Sequence, residues 1–213
     1  MQQRIEPMSE PDPVRETTAG AEAGSGGVRD ATSLPTVWTV GHSTRTWEDF
    51  LAMLAAQEIG AIADVRRFPG SRRYPWFVSE QMAKALPSAG FGYRWIPQLG
   101  GRRKVQPGSP NGAWRNASFQ GYADHLASAE FAEGLELALE MAAQTRTALM
   151  CAEAVWWRCH RRLVSDVLTH RGGEVLHIMD ATHVQPHPMH PDARPSGDLL
   201  IYPPAQAGLF DPS

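Results

Sequence analysis

Only two cysteines, Cys151 and Cys159, and two lysines, Lys84 and Lys104, occur among the 213 residues. Two cysteines cannot build a disulfide framework, so the domain must stand on a hydrophobic core. No run of about 18 apolar residues is present, which removes a membrane-spanning helix from the expectations. The opening residues Met1-Gln2-Gln3-Arg4-Ile5-Glu6 lack the apolar stretch of a secretory signal. Together with thiols lying beside a histidine, this points to a reducing, cytoplasmic setting. Charge of one sign is scarce as well. The net charge is -3, and residues 1–35 carry six acids and three arginines, leaving 17 acids and 17 bases in the remainder. A neutral body has no global field to draw in nucleic acid or a membrane surface, and no membrane partner is expected. Walker, GxGxxG, GxSxG and HExxH sequences are all missing, so an ordinary nucleotidase, dehydrogenase, serine hydrolase or zinc protease has no direct support.

What is present is an ordinary globular composition, 42% hydrophobic. Residues 1–35 are rich in Gly, Ala, Ser, Pro and Glu without periodicity and read as a disordered leader. From Thr36 the pattern turns regular. Val37–Val40 predicts a strand, Thr46 opens a helix through Phe50, Leu51 and Leu54, and Ile59–Ala63 predicts a second strand. Strand, helix and strand within about 30 residues form a βαβ unit. Further strands are predicted at Tyr93–Ile96, Thr147–Cys151 and Glu174–Ile178. Helices are predicted at Ser79–Leu86, at 118–143 with a break near Ala129, and at Arg161–His170. Residues 97–116 read as a long Gly/Pro/Arg loop, and 180–213 as an irregular C-terminal tail. The fold class is α/β, a single Rossmann-like domain over 36–213 with a mostly parallel sheet of about five strands.

Three predicted strand ends carry polar groups: His42 and Ser43, Asp64 and Arg66, Cys151 and Glu153. In a parallel sheet these ends share one edge, where open α/β sheets bind ligands. Cys151 follows an apolar run and reads as a small buried hydrophobe. Cys159 stands at a helix start among Arg158, His160, Arg161 and Arg162, surroundings that favour its thiolate, either a nucleophile or a metal ligand. The spacing Cys-x7-Cys-His is not a common zinc-finger spacing, and no metal site is assigned. His183, His187 and His190 read as loop residues. Arginines cluster in three segments (66–73, 102–104 and 158–162), which suits anion binding. Aromatic residues interleaved with them suit base stacking, with Trp95 assigned to the core and one of Trp156 and Trp157 to the surface.

Gly41-His42-Ser43, Asp64-Val65-Arg66 with Pro69 and Ser71, Leu99-Gly100-Gly101, Tyr122-Ala123, Cys151-Ala152-Glu153 and Cys159-His160-Arg161 together resemble the bacterial and archaeal family called domain of unknown function 488. Residues 187–203 resemble the end of that family, so the likeness runs from about Thr36 to Phe210. It implies a Rossmann-like α/β domain and supports the sites more than a reaction. The resulting expectation is an enzyme acting on a phosphate-bearing partner, a nucleotide or nucleic acid, with no cofactor. Glu153, Asp64, Cys159 and His42 are its catalytic candidates, and Arg66, Ser71, Arg72, Arg73, Arg102, His160 and Arg161 its anion-binding candidates. The alternatives are a non-catalytic nucleic-acid-binding module and a zinc-binding or thiol-redox protein.

Overall fold

The computed structural model describes residues 34–205. The predicted leader, apart from Leu34 and Pro35, lies outside the described residues. Apolar runs become the inner parallel strands, covered on both faces, and a more polar, largely exposed segment adds a parallel edge strand. They are β1 (Val37–Gly41), β2 (Ala61–Asp64), β3 (Gly92–Trp95), β4 (Thr147–Cys151) and β5 (Val175–Ile178). A sixth strand, β6 (Val184–Pro186), pairs antiparallel with β5, and the sheet order is β3-β2-β4-β1-β5-β6. Every residue of β2 and β4 is buried.

Five helices cover this sheet. They are α1 (Trp47–Ala56), α2 (Ser79–Ser88), α3 (Ala117–His125), α4 (Ala129–Gln144) and α5 (Arg161–His170). Polar side chains set three of their starts. Thr46 Oγ1 accepts from the Asp49 N–H at 3.1 Å, Asn116 accepts from Ser118, and Ser128 accepts from Phe131. Ser128 also makes the predicted break between α3 and α4. Helix α2 runs one residue past Pro87 because a proline in a last turn no longer interrupts a helix that continues.

The apolar residues form two layers. Phe50, Leu54, Phe77, Met82 and Leu86 pack with Ile62, Ala148 and Met150 on the α1–α2 side. Tyr122, Phe131, Leu135, Leu163 and Val164 pack with Ala63, Leu149 and Cys151 on the α3–α5 side. Strands β1 and β2 therefore send their chains to one face and β4, lying between them, sends its chain to the other. Such divergence opens a crevice outside the carboxyl ends of the strands.

Two expectations need correction. The segment 180–213 is not irregular throughout: it supplies β6 and a hairpin of β7 (Arg194–Ser196) and β8 (Leu199–Ile201). Strands of three residues, two of them containing proline, carry no readable alternation, which hid them. Leu200 and Tyr202 from this segment are buried in the α3–α5 layer. Trp95 is not core. It ends the edge strand β3, is 44% exposed, and donates its indole N–H to the Arg66 carbonyl at 2.8 Å.

Candidate active site

Outside the ends of β2 and β4 lies a cleft of about 390 Å³. Side-chain alternation decides which strand-end residues reach it. Leu149 and Cys151 face the α3–α5 layer, whereas Met150, paired in register with Asp64, faces the other. Cys151 accordingly lies on the cleft floor. Asp64 and His42 have the opposite parity and are buried on the α1–α2 side, away from the cleft lining.

There Asp64 and His42 hold an arginine. Arg66 Nε donates to Asp64 Oδ1 at 2.7 Å, Nη2 to Asp64 Oδ2 at 2.5 Å, and Nη1 to His42 Nε2 at 3.1 Å. Tyr93 donates its hydroxyl to Asp64 Oδ2 at 2.9 Å. Because an arginine only donates, His42 Nε2 is the acceptor and Nδ1–H donates to the Ser43 carbonyl at 3.0 Å. Burial, then the charge of Arg66, lowers the His42 pKa to about 4. A neutral imidazole whose lone pair is already bonded cannot serve as the general base, and Asp64 is an ion-pair partner. Both are positioning groups for Arg66, which lines the cleft.

The floor is built by the segment between β4 and α5. A short 3-10 turn at Trp156–Arg158 leaves Cys159 in extended backbone just before the helix. Cys159 and His160 can then face the same recess, which adjacent positions within a helix cannot do. Cys159 Sγ lies 3.7 Å from His160 Nδ1. His160 Nε2–H donates to the Val65 carbonyl at 3.1 Å, so Nδ1 is the ring atom turned to the sulfur, as acceptor from the thiol or, in the imidazolium, as donor to the thiolate. Arg161, 1% exposed, donates Nε–H to Cys159 Sγ at 3.4 Å and Nη2–H to the Glu153 carbonyl at 2.6 Å. Burial opposes charge on Cys159, but the Cys151 thiol, His160 and Arg161 outweigh it and hold the Cys159 pKa well below that of an ordinary thiol. Cys151, hydrogen-bonded to that thiolate and buried, is pushed well above.

Two glycines make this approach feasible. A Cβ on Gly41 would sit 2.0 Å from the Glu153 carbonyl oxygen, and one on Gly101 would sit 2.9 Å from His160 Nδ1. The motif glycines therefore mark where backbone and ring press close.

Of the anion-binding candidates, Arg66, Arg102 and His160 line the cleft, and Arg161 lies behind Cys159. Ser71, Arg72 and Arg73 are not brought there. Ser71 Oγ accepts from the Tyr74 N–H within its own loop, and Arg73 lies over the Tyr74 ring. Arg103 is committed to Glu130 at 2.6 Å. Glu153 is an exposed carboxylate at the cleft edge, with no side-chain hydrogen bond among the described residues. Arg67 and Arg158 belong to the clustered arginine segments but were not among the named anion-binding candidates, Phe68 was not singled out, and Cys151 was read as packing; all four are on the lining. Phe68 is 65% exposed and flanked by the guanidinium groups of Arg67 and Arg102. An exposed ring between two arginines in a loop was the available signal. Where no metal site was assigned from spacing, Cys151, Cys159 and His160 bring three ligand atoms within 4.8 Å of one another.

Behind Arg161 runs a buried polar chain that sequence reasoning missed. Arg161 Nη1 reaches Thr39 Oγ1 at 3.5 Å, Thr39 reaches His177 Nδ1 at 2.7 Å, and His177 Nε2 reaches His187 Nδ1 at 2.9 Å. His187 Nε2 bonds Asp166 at 2.8 Å, and the Tyr202 hydroxyl donates to the other Asp166 oxygen at 2.8 Å. His187 is thus no ordinary loop histidine: its side chain is fully enclosed.

No curated protein and no solved structure matches the chain. No helix among the described residues is long and apolar enough to cross a membrane. The family described as Domain of unknown function DUF488 matches residues 46–168, a span that holds the whole cleft lining and leaves out β1, Gly41-His42-Ser43 and everything from Thr169 onward. The chain belongs to the DUF488 family.

Proposed function

We propose that the chain is an enzyme acting on a phosphate-bearing substrate, a nucleotide or nucleic acid, bound in this cleft. The observation that carries the reading is the convergence of Arg66, Arg67, Arg102 and Arg158 on one recess whose floor holds the Cys159 thiolate. Glu153 is the one carboxylate on the lining, with Asp64 bound to Arg66 behind it. Guanidinium forks match phosphate oxygens, and the exposed Phe68 ring offers a face on which a base can stack. A module that only binds nucleic acid has no use for a buried thiolate held by a histidine and an arginine, so the enzyme reading is preferred. Cys159 lies at the centre of the site, and Glu153, exposed at the cleft edge, is the general acid or base.

The test is a titration of the reduced protein with fluorescent nucleotides and short DNA and RNA strands at low salt, followed by mass analysis of the ligands after incubation. Binding that weakens in Arg102→Ala and Arg158→Ala, with turnover lost in Cys159→Ser and Glu153→Gln, is the expected outcome. Failure of every phosphate-bearing ligand to bind would end the proposal.

A further inference from the structure

We propose that Cys151 Sγ, Cys159 Sγ and His160 Nδ1 hold a zinc ion whose fourth coordination position opens into the arginine-lined cleft. The inference deepens the function proposed above. It rests on that reading for the substrate but not for the metal.

The donor geometry is close to what the ion needs. Bonds of about 2.3 Å to sulfur and about 2.0 Å to nitrogen set tetrahedral donors roughly 3.5–3.8 Å apart. The three atoms already lie within 4.8 Å of one another, and Cys159 Sγ and His160 Nδ1 are 3.7 Å apart. The histidine is prepared for the role. Its Nε2–H is fixed on the Val65 carbonyl at 3.1 Å, the usual device by which a backbone acceptor orients a metal-binding imidazole and leaves the other nitrogen unprotonated. Gly101 keeps the approach to Nδ1 free, since a Cβ there would come within 2.9 Å of it.

Charge supports the same ligand. Arg161 is buried, and none of its N–H groups reaches a carboxylate among the described residues; its Nε–H points at Cys159 Sγ. Two thiolates cancel the charge of a divalent ion, and Arg161 then leaves one net positive charge beside a cleft suited to anions. Thiolate and imidazole donors select zinc over magnesium or calcium. Three protein ligands with one open vertex is the pattern of a catalytic rather than a structural zinc. The vertex faces the recess because all three residues line it. A phosphoryl oxygen held by Arg102 and Arg158 would meet the metal there. Cys159 then contributes as a ligand, and the group presented to substrate is the ion's open position.

The experiment is reconstitution of the full, reduced, metal-free chain with cobalt(II), followed by visible spectroscopy and metal analysis. The expected result is one cobalt per chain, with thiolate-to-cobalt charge-transfer absorption and the intense d–d bands of a four-coordinate site. Both should be lost in Cys159→Ser and in His160→Ala variants whose circular dichroism matches the parent. Addition of inorganic phosphate should shift the d–d bands in the parent, and that shift should vanish in an Arg102→Ala/Arg158→Ala variant that still binds cobalt. A folded, reduced parent that gives no charge-transfer band overturns the metal site, even if phosphate binds. A full cobalt spectrum with no phosphate response sustains the metal site and overturns the substrate reading instead.

Discussion

Arg161 Nε donates to Cys159 Sγ at 3.4 Å, and the guanidinium meets no carboxylate among the described residues. A buried cation normally demands an anion, and the sulfur is the group placed to supply it. In metal-free, reduced protein, Arg161→Met should therefore raise the thiol pKa and slow iodoacetamide alkylation of Cys159 at neutral pH by about tenfold. A pH profile of alkylation rate checks this. An unchanged profile would mean that Arg161 serves only the Glu153 carbonyl.

Acid should destabilise the domain through His42. Its folded-state pKa of about 4 lies below the ordinary histidine value of 6.5, so the unfolded chain binds more protons between those values. The contribution is complete above pH 6.5 and falls as the pH drops toward 4, by about 3 kcal/mol in all. His177, lowered to about 2 by burial and by His187, extends the loss to lower pH. Urea unfolding at a series of pH values should show this slope, and His42→Gln should flatten its upper part.

The Asp64–Arg66 pair can be tested by asymmetry. Asp64→Asn leaves the guanidinium buried without its counter-ion and should cost about 3–5 kcal/mol. An Asp64→Asn/Arg66→Met double variant should recover much of that stability while losing phosphate affinity. Denaturant unfolding and ligand titration, run side by side, distinguish this from two independent losses.

Gly41→Ala has a different physical origin. The new methyl would meet a backbone oxygen at 2.0 Å, an atom with little freedom to retreat. A destabilisation of about 3 kcal/mol is expected, together with a weakened Arg161–Glu153 contact. Thermal unfolding measures the first, and alkylation of Cys159 reports the second.

If the ligand is a nucleic acid, Arg102→Ala and Arg158→Ala should each reduce the slope of log affinity against log salt by about one. The more buried Arg66 should instead affect affinity at every salt concentration. Fluorescence anisotropy over a salt series reads both.

Much of this architecture was legible. Apolar runs at 59–63 and 147–151 could only be covered strands, and Ser128 and Thr46 announced their helices. The convergence of strand ends on one edge also followed from the βαβ pattern. What was not carried through was the two-residue alternation within those ends. It turns Cys151 into the cleft and Asp64 and His42 away from it, so two catalytic candidates proved to be supports for Arg66. Zinc binding stayed only an alternative because the Cys151, Cys159 and His160 spacing crosses a strand end and an irregular turn, where distance along the chain says little about distance in space. His187 and Tyr202 escaped for a plainer reason. Each directly follows a strand of three residues, too short to carry a pattern that tells which neighbouring side chains will be enclosed.

The Tyr202–Asp166 bond has a consequence for synthesis on the ribosome. Every residue of the cleft lining is translated by His160, yet the polar chain behind Arg161 is shut only when His187 and Tyr202 arrive. Until those last turns of chain emerge, a nascent polypeptide carries two adjacent free thiols with an unfinished wall at their back. The wall behind Arg161 is thus completed by the last of the described elements to be synthesised.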